Sequence, residues 1–387
     1  MVLGLCFSFT ARHYLDRLIC MSSPADSPAG TNPNKEGGEM KKSSLISVAV
    51  LATVSALLLS SCAADGGATA VKRACVILPD ADSGTRWEAG DRPALEKGLT
   101  DAGFEADIQN AQADPAKYAT IADAMLTKGC GVMVLIDHQG AGIAVAEKAK
   151  AAGVPVIAYD RPIAGADYYV SFDNNTVGAL QGQMIVDGLA AAGKDIKTAS
   201  IIYSSGDPTD GNAKMFFDGA KGVLDAAGAK AAFTMDGTWD GAKAGTLFEQ
   251  AFTAVKGKVD AVLAPNDNNA ASIITILDKN GLTVPVSGQD ASVAGLQNVL
   301  LGKQTATVYK PFQLEVEAAI AVITAILNGE TYDTAGKTLE DGTPYVAVDP
   351  VSVGADKVKD VVADGNAKAA DICTAELADA CAKYGVK

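Results

Sequence analysis

PVIAYDRPIAGADYYVSFDNNTVGALQGQ, residues 155–183, decides the fold. Two apolar runs, Val156-Ile157-Ala158-Tyr159 and Tyr168-Tyr169-Val170-Ser171-Phe172, have the length and the β-branched and aromatic content of short buried strands. The first stops at Asp160-Arg161-Pro162. The second stops at Asp173-Asn174-Asn175, where Asn174 or Asn175 can cap a following helix. One α/β lobe ends here and another begins. A polar pair at a strand end, close to an interlobe crossing, faces whatever occupies the cleft.

Working outward, the same alternation extends both ways. Upstream, strands over 75–78, 104–108, 132–136 and 156–159 alternate with helices over 89–102, 115–127 and 141–151. Downstream, helices over 175–192, 212–227, 242–256, 269–280 and 291–301 alternate with strands over 198–203, 231–235, 261–264, 284–287 and 305–309. Strand, helix, strand in repetition means a parallel sheet covered on both faces. Lys310-Pro311 breaks the run; the helix over 312–327 returns to the first lobe and the tail from Tyr345 to the second. The expected fold class is therefore α/β: two lobes with parallel sheets and three hinge crossings. The N-terminal lobe takes 72–173 and 309–340, the C-terminal lobe 174–308 and 341–387.

The totals agree with two lobes, since 387 residues exceed one ordinary core. A hydrophobic content of 48% and a charged content of 20% are globular values. A formal net charge of −14 argues against nucleic acid as a partner, because phosphate neutralisation needs clustered Lys and Arg. Of 2 His, His13 lies in the N-terminal leader, so His138 is the sole imidazole of the folded part. That disfavours a His-based metal site or a Ser-His-Asp triad.

Residues 1–39 hold no packed element and are taken as a leader upstream of a true start at Met40. Met40-Lys41-Lys42, the apolar stretch from Leu45 to Leu59 and Leu59-Ser60-Ser61-Cys62 form a secretory signal over 40–61, too short for a membrane span. The cleavage region is similar to a bacterial lipobox, which makes Cys62 the diacylated mature N-terminus; a plain signal with an incidental Cys is the alternative. Residues 62–71 are a tether. The expected location is extracytoplasmic, either lipid-anchored to the cell membrane or periplasmic.

Four cysteines follow Cys62. Cys75 opens the first strand and Cys130 precedes the third. In a 2-1-3-4-5 order those strands are neighbours, so a disulfide is feasible. Cys373 and Cys381 would lie ~12 Å apart along a straight helix, too far to bond, so that bridge needs a turn between them. Free buried thiols are the alternative for both pairs.

Polar residues collect at strand ends: Asp80 to Trp87, Asp137-His138-Gln139, Asp160-Arg161, Gly206 to Asn212, Thr238-Trp239-Asp240, Asn266-Asp267-Asn268, Gln289-Asp290 and Lys310. Open parallel sheets bind ligands beyond the carboxyl ends of their strands. Two such edges facing each other make a closable cleft lined with Asp, Asn, Arg and Lys. That set suits a polyhydroxylated ligand, whose hydroxyls each donate to carboxylates and accept from Arg, Lys or amide nitrogens. The chain's 2 Trp, Trp87 and Trp239, fall one per lobe in these loops and suit the C–H faces of a sugar ring; two partly buried core residues are the plainer reading. Asp207-Pro208-Thr209-Asp210-Gly211 lacks EF-hand spacing, and no Gly-rich stretch fits a phosphate loop. Asp210 and Asp290 could pair as glycosidase carboxylates, but hydrogen-bond acceptance needs no catalytic assumption. No cofactor and no metal are expected.

From about 72 to 360 the chain resembles the periplasmic sugar-binding proteins of ABC importers, with their Rossmann-like lobes of the type I fold, and most of all their D-xylose-binding members. The resemblance rests on Thr85-Arg86-Trp87, Ala158-Tyr159-Asp160-Arg161, Ser171-Phe172-Asp173-Asn174, Asp210-Gly211-Asn212-Ala213-Lys214, Asn266-Asp267, Ser287-Gly288-Gln289-Asp290-Ala291 and Thr307-Val308-Tyr309-Lys310-Pro311, in that order. It implies that Arg86, Arg161, Asp210, Asn212, Asn266, Asp290 and Lys310 bond a sugar, that Trp87 and Trp239 flank it, and that His138 stands at the rim. It also implies a monosaccharide ligand with D-xylose first, another aldose such as glucose, ribose or galactose as the alternative, a permease partner, a monomer and no catalysis. Asp137-His138-Gln139 departs from the Pro-Tyr-Asn-like triplet of xylose binders. A sugar-responsive transcription regulator, built on the same lobes, would need an N-terminal helix-turn-helix where this chain has a signal.

Overall fold

The structure, a computed structural model, describes residues 72–81 and 86–387. The leader, signal, tether and Cys62 lie outside the described residues. The chain runs β1 (Arg73–Leu78), α1 (Arg92–Asp101), β2 (Glu105–Asn110), α2 (Pro115–Lys128), β3 (Val132–Leu135), α3 (Ala141–Ala151), β4 (Val156–Tyr159) and β5 (Tyr168–Phe172). It continues through α4 (Asn174–Ala191), β6 (Ile201–Tyr203), α5 (Gly211–Ala226), β7 (Ala231–Thr234), α6 (Gly241–Ala254), β8 (Ala261–Leu263), α7 (Asp267–Lys279), α8 (Val293–Leu300) and β9 (Thr307–Tyr309). After α9 (Phe312–Leu327) come β10 (Tyr345–Val348), β11 (Val351–Val353) and the short helices α10 (Val358–Ala363), α11 (Ala369–Ile372) and α12 (Ala378–Tyr384).

The first sheet has the order β10-β5-β4-β3-β1-β2, with every pair parallel. This is the expected 2-1-3-4-5 order with one further edge strand. Successive side chains of β1 point to opposite faces. Ala74, Val76 and Leu78 pack on Leu95 and Leu99 of α1 and on Val316, Ala319, Val322 and Ile323 of α9. Cys75 and Ile77 pack on Tyr118, Ala122 and Met125 of α2 and on Val145, Ala146 and Ala149 of α3. Strands buried on both sides are apolar throughout, which is why they read as continuous runs. Each fully buried Val or Ile of α9 contributes about 1.5–3 kcal/mol, so this helix returns to the first lobe as expected.

The second sheet is β7-β6-β8, extended by single bridges from Val262 to Val286 and from Gln289 to Val308, then by the antiparallel pair β9–β11. The strand expected over 284–287 is reduced to that one bridge because Pro285 has no N–H to donate. Its carbonyl still accepts from Val262 at 2.9 Å.

Two expectations need correction. The helix expected over 89–102 begins as a π-helical turn, Trp87–Asp91: the Arg92 N–H bonds the Trp87 carbonyl five residues back, and Pro93, with no N–H, follows. The expected C-terminal lobe segment 341–387 starts too early. Tyr345–Val348 pairs with β5 in the first sheet, where Tyr345 stacks on Tyr169 at 4.7 Å and hydrogen-bonds the Phe172 carbonyl. The return to the second lobe falls between β10 and β11, and the three crossings lie after β5, after β9 and after β10.

Of the two alternatives left open for these cysteines, the structure has the bridges, Cys75–Cys130 and Cys373–Cys381, each with Cα atoms 5.9 Å apart. The second needs its turn, and the break between α11 and α12 supplies it. The bridges span 55 and 8 residues. Loop closure then assigns about 4 kcal/mol to the first and about 2–3 kcal/mol to the second. Guanidinium titration of the two Cys→Ser double variants should give losses in that order; a larger loss from the shorter loop would contradict it.

Candidate functional site

On the first lobe the site is built at the ends of β1, β3 and β4. Arg86 is held by three carboxylates. Asp91 grips it with two contacts of 2.7 Å, Glu315 from α9 reaches it at 2.6 Å, and Asp160 at 3.1 Å. The Tyr159 hydroxyl donates to Asp91 at 2.5 Å. Burial opposes the charge of Arg86, but Asp91 and Glu315 outweigh it and hold its pKa well above the ordinary value. Glu315 is pushed up to about 8: burial raises it, Arg86 opposes, and Asp160 and Asp91 add to the rise. Trp87, expected as a sugar platform, is only 3% exposed and belongs to the core. Its ring lies beneath the guanidinium groups of Arg86 at 4.8 Å and Arg161 at 5.8 Å. It thus backs two arginines rather than offering an open face, because the ring packs against β1 and α9.

On the second lobe Asp210 caps α5, and its Oδ1 accepts from the Asn212 N–H at 2.9 Å. Its Oδ2 accepts from Trp239 Nε1 at 3.2 Å and lies 3.7 Å from Arg161 Nε, across the gap between lobes. Burial pushes the Asp210 carboxyl up while Arg161 pulls it down. Gly206 leaves room for Trp239; a Cβ there would stand 2.1 Å from the ring. Lys310 pairs with Asp290 at 3.0 Å and lies 5.4 Å above the Phe216 ring. Burial disfavours the Lys310 charge, but Asp290 and Asp160 overcome it and raise its pKa.

Asp290 adopts φ +96° on a loop shaped from beneath by Asp267. That buried carboxyl accepts from Gln304 at 2.8 Å, Thr307 at 2.9 Å and the Ser292 N–H at 2.9 Å. Burial and the nearby Asp290 push Asp267 up to about 7. Asn266 caps α7 through the Asn269 N–H at 2.9 Å.

Between the lobes lies a cleft of about 130 Å³, well above the roughly 10–15 Å³ one water requires. Asp80, Asp137, His138, Arg161, Asp210 and Trp239 are among its lining. His138 Nδ1 is 3.9 Å from Asp80, and its Nε2 is buried with no hydrogen-bond partner among the described residues. Of the expected ligand residues, then, His138, Arg161, Asp210 and Trp239 meet at this cleft. Arg86 stands behind them, and Lys310, at the crossing after β9, pairs with Asp290 of the second lobe. Asn266 serves as a helix cap, and Asn212 joins a polar network between the lobes.

Sequence reasoning placed Asp80, Asp137 and Asp160 in the strand-end clusters, each following an apolar run directly or after one residue, but did not count them among the residues that bond the ligand. It passed over Asp91 and Glu315 because nothing in a helical pattern marks a carboxylate that turns inward.

This geometry, polar strand ends of two parallel-sheet lobes closing on one cleft, defines a binding protein that holds its ligand between lobes. Residues 74–331 match the model of the periplasmic binding protein domain, and the chain belongs to that family, among its sugar-binding receptors. It is similar to the D-xylose-binding periplasmic protein of Escherichia coli (strain K12), at 34% identity over 74% of this chain and 88% of that one. The multiple sugar-binding periplasmic protein SbpA of Azospirillum brasilense is also 34% identical, over 73% and 86%. A solved carbohydrate transporter solute-binding protein from Chloroflexus aurantiacus, in complex with D-glucose, superposes with a TM-score of 0.67 at 30% identity, covering 78% of this chain and 98% of that one.

Glu315 and Asp267 both titrate above the ~4 of an unfolded carboxyl. Between about pH 4 and 8 the folded protein keeps protons that the unfolded chain has released, so stability falls as pH rises through that window. The depressed carboxyls Glu88, Asp107 and Asp260 lose their stabilising effect only as pH falls below it. Urea midpoints should therefore drop from pH 5 to pH 8, and drop less in Glu315→Gln. A wild-type midpoint that climbs over this range would contradict the assignment.

Proposed function

We propose that the protein is the receptor of an ABC sugar importer and binds one monosaccharide, D-xylose first among them, by hinge closure. The observation that carries the reading is the meeting of Arg161 and Asp210, from opposite lobes, 3.7 Å apart at one cleft. Arg161 donates to sugar oxygens and Asp210 accepts from sugar hydroxyls. Trp239, held by Asp210 and edge-on to Phe216 at 6.3 Å, offers the apolar surface. The free Nε2 of His138 awaits one more hydroxyl. Lys310 and Asp290, with Arg86 behind, extend the same hydrogen-bonding surface. Ligand contacting both lobes favours the closed form, which the permease reads; the sugar leaves unchanged. Cys62 carries the lipid that tethers the receptor to the membrane.

A second reading, a wider aldose range that includes D-glucose, is favoured by Asp137-His138-Gln139 at the rim and by relatives that bind several sugars or hold glucose.

A thermal-shift panel over aldopentoses and aldohexoses should show the largest rise with D-xylose, growing with concentration. A sugar hydroxyl buried without its charged partner costs about 1–3 kcal/mol. In calorimetry Arg161→Ala or Asp290→Ala should abolish tight binding while the circular dichroism spectrum is kept. Wild-type affinity in both variants would refute the site.

A further inference from the structure

We propose that Asp267 is a positioning residue for sugar binding: as a carboxylate it braces from beneath the loop that presents Asp290, and the affinity of the cleft follows that brace. The inference rests on the reading of the cleft as a sugar site.

The loop needs bracing. Asp290 and Ala291 are consecutive residues with a Cβ in left-handed backbone, at φ +96° and +48°. Such strain persists only where the surroundings over-determine it. Three successive N–H groups fix the loop. That of Asp290 donates to the Val308 carbonyl at 2.8 Å, that of Ala291 to the Thr307 hydroxyl at 3.1 Å, and that of Ser292 to Asp267 at 2.9 Å. The Thr307 hydroxyl gives its own proton to Asp267 at 2.9 Å, which turns its lone pairs to Ala291. Two of the three N–H groups are thus held through one carboxylate.

The surroundings of Asp267 suit the ionised form. It is 1% exposed, and its side-chain partners among the described residues all donate: Gln304 Nε2 at 2.8 Å joins Thr307 and Ser292. The same Nε2 also serves the Ala306 carbonyl at 3.0 Å, which keeps the Gln304 oxygen from turning inward. Gly288 and Gly295 leave room, since a Cβ on either would collide with the carboxylate. A proton on Asp267 enters a ring of donors, and Thr307 or Ser292 loses its charged acceptor.

Few charges face this group. Asp290 does so from the loop, with Lys310 beyond it at 3.0 Å. Helix α8 carries no ionisable residue, and the only one on β9 is Tyr309, which burial pushes up to about 12. Lys303, between them, is turned to Asp278. On α7 itself Asp278 and Lys279 lie about three turns away. Burial and Asp290 therefore push Asp267 up to about 7. The brace exists in the ionised form, so sugar affinity rises as pH rises through about 7 and falls below it. That is opposite in sign to the trend in stability, because ionising a buried carboxyl costs the fold while it orders the loop.

The test is calorimetry with D-xylose and D-glucose from pH 6 to 8, on the wild type and Asp267→Asn, which sets N–H groups against donors. At pH 8 the variant should bind each sugar about three- to tenfold more weakly. The gap should close toward pH 6 as the wild type takes up its proton. Glu315, pushed up to about 8, titrates in both proteins and cancels in their ratio. No gap at pH 8, or a gap unchanged down to pH 6, would overturn the proposal. If Asp267→Asn fails to fold, Thr307→Val and Thr307→Ser decide at pH 8. The first loses the hydroxyl and should bind more weakly by a similar factor; the second keeps it and should bind like the wild type. Equal affinities in the two would overturn the proposal. If the wild type binds neither sugar, the site reading fails instead. The brace is then judged without sugar by hydrogen exchange at pH 8. The Ala291 amide should exchange faster in Asp267→Asn or Thr307→Val than in the wild type, and an unchanged rate would overturn the proposal.

Discussion

Three cations, Arg86, Arg161 and Lys310, are drawn out of water between two sheets, and the carboxylates around them make that possible. Isolated burial of a charge is prohibitive; paired and hydrogen-bonded, it is tolerated. Asp91 and Asp160 compensate Arg86, with Glu315 hydrogen-bonded beside them, Asp290 compensates Lys310, and Asp210 reaches Arg161 from the other lobe. Most of this compensation is built within one lobe. The Arg161–Asp210 contact is not, and at 3.7 Å it is the loosest of these pairs. A small neutral ligand rich in hydroxyls can stand between such partners, donating to one and accepting from the other.

The arrangement divides labour by depth. Asp91, Glu315 and Asp267 touch nothing in the cleft. They fix Arg86 and the loop of Asp290 from behind. Nearer the surface, Arg161, His138, Asp210 and Trp239 keep atoms turned to the cleft. Beside them, Asn212, Tyr169 and the Asp160 carbonyl join lobe to lobe.

The lobes were legible in the sequence because parallel strands buried on both faces leave uninterrupted apolar runs, as in 156–159 and 168–172. The position of α9 was legible for the same reason: an apolar helix after a Lys-Pro break must cover something. The edge strand at Tyr345 was not, since Tyr-Val-Ala-Val reads alike in either sheet and only the docking of Tyr345 on Tyr169 decides. Arg161, Asp210 and Trp239 line the cleft from the strand ends where the sequence reading put them. Glu315 was hidden, because it meets Arg86 across 229 positions of chain from within a helix that reads as pure packing. Trp87 stood out in the sequence, but not for the role it plays. Composition marks a Trp near a cleft, and only packing tells whether its face is open.

The most direct measurement of the central claim is a crystal structure grown with D-xylose. One sugar molecule should lie between the lobes, within hydrogen-bond distance of both Arg161 and Asp290. A sugar held by one lobe alone, or Arg161 and Asp290 facing separate bodies of solvent, would contradict the account.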